Sequence, residues 1–395
     1  MFHIADWYNN YQTPSVLMID DLSDAYIDVY DESYKNDWGY LCQEKEGIYH
    51  FLKNGLLAEF PEIKITFFVP YERHNVINPN SEYKYYKFAV GERKEFNSFL
   101  SMLEEQGHEI AHHGSNHGKY IDINKVSTVK NFKHEWELFD NIKEGVEITM
   151  KGIETFKSNV NIDIVGGKFC GYMQKENSLE IIDRCKFLYW CVGINYINKD
   201  YAFKFFGKQD IISFPTNFAG NEFVRLIYKT GVPKRDRKKI FLQFLQPLYN
   251  FFQYKKLKKL YHNKEIISIQ EHISPSTAAG TVQSANIVSD QVSLRKIYHF
   301  LQKRSIWYAT SKDIAKYFYV KENTKLYRKK TQLIIDFKNI KNIKNTKISI
   351  ISDQSFTLKN KTGVYPSFWN NQSNVATVDI LNEENTFEII LKGNQ

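Results

Sequence analysis

Apolar positions follow two regimes along this chain. Up to about residue 320, short unbroken apolar runs alternate with stretches at helical spacing. The runs SVLMID (15–20), IKITFFV (63–69), HEIA (108–111), IDIVGGKF (162–169), FLYWCVG (187–193), DIISFP (210–215) and EIISIQ (265–270) predict buried strands. Between them, Ile48, Phe51, Leu52, Leu56 and Leu57 predict a helix over 46–60. Phe96, Phe99, Leu100 and Leu103 predict another over 94–105, stopped at Gly107. A single long helix is predicted over 131–157 from the stripe Phe132, Trp136, Phe139, Ile142, Val146, Ile153 and Phe156, and a short one over 176–185. Strands that alternate with helices, and are apolar on both faces, predict a parallel sheet or barrel covered by helices. Sites in such folds lie at the C-terminal ends of the strands. From about residue 325 the pattern changes to short alternating strands: QLIIDF, KISIIS, SFTLKN, NVATVDIL and TFEIILK, separated by polar turns. The expected organisation is therefore an α/β barrel over 1–322 and a small all-β, sandwich-like domain over 323–395.

One segment fits neither regime. In 232–262, VPKRDRKK precedes IFLQFLQPLYNFFQ, and YKKLKKL follows. Gln243, Gln246, Asn250 and Gln253 form one narrow polar stripe on an otherwise apolar helix with basic ends. Such a helix is a candidate for peripheral membrane contact, the alternative being a helix packed on the barrel and kinked at Pro247.

Composition narrows the function classes. Of 395 residues, 43% are hydrophobic and 25% charged, enough for a large core. The net charge of +8 suits an anionic partner, while zinc-finger spacing, helix-turn-helix and RNA-binding signatures are missing, so no nucleic acid is expected. Cys42, Cys170, Cys185 and Cys191 form no CxxC pair, which argues against a disulfide scaffold and fits a reducing compartment. The segment MFHIADWYNNYQTPS has no signal-peptide character and no run of apolar residues is long enough to span a bilayer, so a cytoplasmic location is expected, peripheral at the inner membrane face.

The candidate chemistry sits at predicted strand ends. Asp20 and Asp21 close an apolar run, where packing explains two acids poorly because a buried charge needs a partner. A helix N-cap is the alternative role for Asp21. In HHGSNH, His113 and His117 are four residues apart in a loop-forming context, able to meet one cation together with Asp21. Two imidazoles and one carboxylate leave coordination positions open, as a catalytic site requires. His112 is expected as a neighbour rather than a ligand. His272, past another strand, has the chemistry of a general acid.

Taken together, MIDD (18–21), GHEIAHHGSNH (107–117), GGKFCGYM (166–173), a tryptophan-bearing strand, a late strand-end histidine and SIWYATSKDIAKYF (305–318) resemble the polysaccharide deacetylase family, the NodB-homology carbohydrate esterases. The resemblance spans roughly 13–320 and implies a distorted (β/α) barrel that removes acetyl groups from N-acetylated sugars of a polysaccharide or lipid-linked glycan. It implies Asp20 as base, His272 as acid, and Asp21, His113 and His117 as ligands of one divalent ion, zinc first, with cobalt, nickel or manganese as alternatives. The family's Arg-x-Pro-aromatic motif is altered: Lys168 stands at the arginine and Cys170 at the proline. Lysine keeps the charge but loses the fork. Gly171 is expected near the oxyanion, Tyr172 near the substrate, and Trp190 packed on His272. The rival expectations are hydrolysis of another acyl bond, such as an O-acetyl ester, or a non-catalytic glycan-binding or membrane-surface protein on this scaffold.

Overall fold

A computed structural model of the chain describes residues 1–28, 48–73, 84–122, 131–192, 203–228, 237–273, 285–287, 289–338, 341, 343–380 and 384–391. Cys42, residues 232–236 and the start of the 46–60 helix lie outside the described residues.

The strand Thr13–Asp20 is buried along its whole length and organises the fold. It pairs in parallel with Ile65–Val69 on one side and with Ile267–His272 on the other. The sheet continues through Glu109–His112, Gly166–Lys168, Tyr189–Cys191 and Ile211–Phe214 to an antiparallel edge strand, Lys204–Phe206. Beyond Ile267–His272 lies Phe218–Ala219, and Ile306–Tyr308 pairs with the start of the central strand. This is a distorted (β/α) barrel whose strand ends converge on one edge.

Alternation along the central strand divides two cores. Leu17 and Ile19 join Phe67, Val69 and the apolar faces of the helices Lys94–Glu105, Ile142–Val160, Ser178–Arg184 and Gln291–Gln302. Val16 and Met18 face the other way, onto Phe68, Ala111 and the helix Ser311–Glu322 through Ile314, Ala315 and Tyr319. That helix is anchored by a fully buried carboxylate. Glu109 accepts the Lys312 amide N–H at 2.8 Å, the Thr66 hydroxyl at 2.9 Å and the Tyr189 hydroxyl at 2.9 Å. Burial nevertheless pushes its carboxyl up to about 7.

The single helix expected over 131–157 is not formed. Phe132–His134 is a strand paired with Gly118–Tyr120, Glu135–Glu137 is a 3₁₀ turn, and the helix proper is Ile142–Val160. Asn141 caps that helix by accepting the Glu144 amide, and its buried face consists of Gly145, Thr149, Gly152 and Phe156. The small residues are required by close approach. A Cβ on Gly152 would lie 2.6 Å from Tyr71, and one on Gly145 2.3 Å from Ile181.

The C-terminal region is all-β. Thr324–Lys329, Gln332–Phe337, Glu384–Leu391, Phe356–Lys359 and Val364–Pro366 form one antiparallel sheet. Thr346–Ser352, Ser373–Ile380 and Phe368–Asn370 form most of a second. Alternation is clean: Leu333, Ile335 and Phe337 are buried while their neighbours are not, as expected for a half-buried strand. The outer edge of the second sheet is His3–Ile4 from the N-terminus, paired with Ile350 and Ile351.

Candidate metal centre

Asp20 and Asp21 reach the same pocket because the backbone turns sharply between them. Asp20 ends its strand, and Asp21 adopts φ 67, the left-handed region that non-glycine residues rarely occupy. His117 does the same at φ 73. Strain at two of three candidate ligands is what an over-determined functional site shows.

The result is compact. Asp21 Oδ1 lies 3.2 Å from His113 Nε2 and 3.2 Å from His117 Nε2, and all three residues are buried. Donors bound tetrahedrally at about 2.0–2.2 Å from one ion stand about 3.3–3.6 Å apart, so the spacing is close to what a small divalent cation needs. The tautomer suits it too. His113 Nδ1 donates to the Lys168 carbonyl at 3.2 Å, which leaves Nε2 bare toward Asp21 and without a hydrogen-bond partner. A second donor set is present: His113, His117 and Cys170 offer atoms within 4.8 Å of one another. The carboxylate set fits better, because the Cys170 thiol donates to the His113 carbonyl at 3.0 Å and burial pushes its pKa well up.

The histidine loop is braced from below. The buried carboxylate of Glu135 accepts the amide N–H of Ser115 at 2.6 Å and of Asn116 at 3.2 Å, while the Glu135 amide donates to the His117 carbonyl at 3.3 Å. Burial pushes the Glu135 carboxyl up to about 7. Gly114, at φ +78, sits so close that a Cβ there would lie 2.5 Å from Glu135 and 2.9 Å from Cys170. His134 completes this side, its ring 5.2 Å from that of His117 and packed against Gly171. Glu135, His134 and Gln270 were not anticipated from the sequence; Glu135 and His134 fall inside the stretch read as helix.

Asp20 has a different environment. The fully buried Lys168 ammonium lies 2.8 Å from its Oδ1 and 2.7 Å from its Oδ2. Burial opposes the charge on Lys168, but Asp20 and then Tyr172 outweigh it and hold the lysine above its ordinary range. Gln270 Nε2 donates to Asp20 Oδ2 at 3.1 Å, and Tyr172, which also bonds Thr216, donates to Gln270 Oε1 at 3.1 Å. His272 stands level with Asp20 on the adjacent strand, with Nε2 3.8 Å from Oδ2. Its Nδ1 donates to the Ala285 carbonyl at 2.8 Å, which orients the ring.

Two neighbouring residues point elsewhere. His112 turns into the helix-side core between Tyr71, Phe187 and Trp190, accepts the Gly114 amide at 3.0 Å, and has its pKa lowered to about 3 by burial and then by His113. Trp190 was expected against His272. Instead it is fully buried among Trp136, Phe169, Phe187 and His112, and four strands separate its strand from that of His272. Its strand aims it at the helix layer, opposite to the pocket.

No protein-family model matches the chain, and no curated protein matches its sequence. Similar solved structures include a protein from Mycobacterium smegmatis described as a polysaccharide deacetylase, at 14% identity and TM-score 0.43, covering 79% of this chain and 92% of that one. The allantoinase Puue aligns at 12% identity and TM-score 0.45 over 80% of this chain and 92% of its own. A family 4 acetyl xylan esterase from Clostridium thermocellum, solved with cobalt, aligns at 8% identity and TM-score 0.36 over 76% and 90%. Likeness at this level is distant. What the pocket can do follows from its own residues and distances.

Proposed function

We propose that this chain is a metal-dependent hydrolase of the polysaccharide deacetylase type, removing an acetyl group from an N-acetylated sugar of a polysaccharide or lipid-linked glycan. The observation that carries the reading is the junction of two units at one strand end. Asp21, His113 and His117 make a cation-sized cluster, and beside it Asp20 is held by Lys168 with His272 facing it 3.8 Å away.

A divalent ion, zinc first, would be held by Asp21, His113 and His117 and would supply Lewis acidity toward a carbonyl and water. The chain's own groups then divide the proton work. Asp20 takes the proton of the attacking water, and Lys168 with Gln270 fixes the orientation of its carboxylate. His272, once protonated at Nε2, delivers that proton to the leaving nitrogen. Its Nδ1 hydrogen bond to Ala285 holds Nε2 toward the reacting centre. The backbone N–H near Gly171, whose left-handed turn packs against the His134 ring, is the group assigned to the developing oxyanion.

The test is acetate release from N-acetylated oligosaccharides and from lipid-linked N-acetyl sugars, with and without chelator. Release that chelator abolishes and zinc or cobalt restores is expected. Asp20→Asn should keep the metal and lose the activity. Bound metal with no release from any N- or O-acetylated glycan would sink the catalytic reading in favour of a glycan-binding role.

A further inference from the structure

From Phe244 to Gln253 the helix Arg237–His262 is turned inside out, while further along it buries Leu257 and Leu260 in the ordinary way. A helix on a soluble barrel buries its apolar stripe and exposes its polar one. Here the polar stripe faces the barrel: Gln246 and Gln253 are buried, Gln246 Nε2 donates to the Phe223 carbonyl at 2.9 Å, and Tyr249 donates to Glu222 at 2.5 Å. Four apolar residues of this stretch face outward, with Phe244 78%, Leu248 56%, Phe251 53% and Phe252 54% exposed. At intervals of three and four these side chains share one face, and Lys255 and Lys259 continue it.

We propose that this face docks the protein on an anionic lipid surface. Three observations choose that occupant. The helix has no acidic residue in its 26 positions, and the basic residues at its end fit a negative surface. Exposed phenylalanines beside lysines suit the headgroup boundary, where rings enter the apolar layer while the amines stay at the phosphates. A second copy of the chain is disfavoured, because this helix offers no acidic residue to meet the lysines of another copy's face. The helix lies on the membrane rather than across it, since no helix among the described residues is long and apolar enough to cross.

The position of the helix gives docking a consequence. It is the crossover between the parallel neighbours Phe218–Ala219 and Ile267–His272, so it runs back against the strands. Its first half, with Phe244 and Leu248, therefore lies toward the strand ends where Asp20 and His272 stand. Joined to the deacetylase reading, on which this clause alone rests, docking there presents the pocket to a glycan carried on a lipid.

Co-sedimentation of the full chain with vesicles tests the proposal without reference to catalysis. Binding is expected to vesicles of phosphatidylcholine carrying about one third phosphatidylglycerol, with weaker binding to phosphatidylcholine alone. Each of Lys255→Gln and Lys259→Gln should lower the partition about fivefold and flatten its salt dependence. The double variant Phe244→Ser/Phe251→Ser should lower it at least about tenfold while circular dichroism and metal content stay unchanged. No binding to the anionic vesicles would overturn the proposal. So would a solution dimer that the double variant makes monomeric while vesicle binding persists, because the face would then join copies of the chain. Loss of acetate release with vesicle binding intact would reject the enzymatic reading and leave this one standing.

Discussion

Removing the Lys168 ammonium while leaving Asp20 in place is the sharpest perturbation the site offers. The two charges lie 2.7 Å apart and are almost fully buried. At an effective permittivity of about 20, unit charges at that distance attract by about 6 kcal/mol. Taking two ions out of water costs several kcal/mol each, so the intact pair is near balance as a whole. Breaking it is not balanced. Lys168→Met leaves a buried carboxylate with Gln270 as its remaining described donor, and about 3–5 kcal/mol of stability should be lost. That stays within the roughly 5–15 kcal/mol a folded domain has. The assay is a double-mutant cycle by guanidinium unfolding in chelator, using Lys168→Met, Asp20→Asn and the double variant. The double variant should be more stable than additivity predicts by about 3 kcal/mol, since it removes both charges together. Additive losses within about 0.5 kcal/mol would refute the view that Lys168 exists to hold Asp20.

Other expectations follow from the neighbouring contacts. Glu135→Ala frees the Ser115 and Asn116 amides and should weaken zinc binding roughly tenfold to a hundredfold, while Glu135→Gln, which keeps an acceptor, should recover most of it by isothermal titration. Gly114→Ala meets both a positive φ and a clash with Glu135, so it should lower stability by at least about 2 kcal/mol and lose metal; a silent alanine would mean the loop is not constrained as described. His112 has its folded pKa lowered to about 3 from the ordinary histidine value of 6.5, so the unfolded chain takes the proton first as pH falls. Stability from this group is complete above pH 6.5 and declines below it by up to about 1.4 kcal/mol per unit. In chelated protein, His112→Asn should therefore lose less stability than wild type between neutral pH and pH 5, and parallel losses would count against it.

Much of the barrel was legible because its strands are short apolar runs, and a run buried on both faces has few other readings. The end of SVLMID was also legible, since two carboxylates there violate packing logic. The stretch 131–157 was misread because Phe132, Trp136 and Phe139 happen to fall at helical intervals. A local signal marks the true start: Asn141 followed three residues later by Glu144 is an N-cap pattern, and Asn141 does accept the Glu144 amide at 3.0 Å, while Glu144 accepts the amide of Asp140, one residue before the cap, at 2.8 Å. The helix 237–262 illustrates a limit of a different kind. Its polar stripe was visible, but periodicity says that two faces differ and not which of them turns inward. That depends on Phe223 and Glu222, which the sequence does not place beside it.

The third motif shows why residue-by-residue comparison misleads in both directions. A lysine in place of a family arginine looks like decay, because a fork has become a point charge. In the folded chain, Lys168 is fully buried between the rings of Phe68 and Tyr172, at 5.2 and 4.7 Å, with its ammonium reaching both oxygens of Asp20. Gln270 supplies a second hydrogen bond to the same carboxylate. Lys168 and Gln270 therefore perform one task from two strands. Lys168 also ties that task to the candidate metal cluster, since its carbonyl accepts from His113 Nδ1. At this one position the side chain holds Asp20 and the backbone carbonyl holds His113. Substitutions that move the strand, such as a side chain at Gly167 driven into Trp190 at 2.2 Å, should accordingly weaken metal binding and catalysis together, whereas Lys168→Met should spare the metal and lose the reaction.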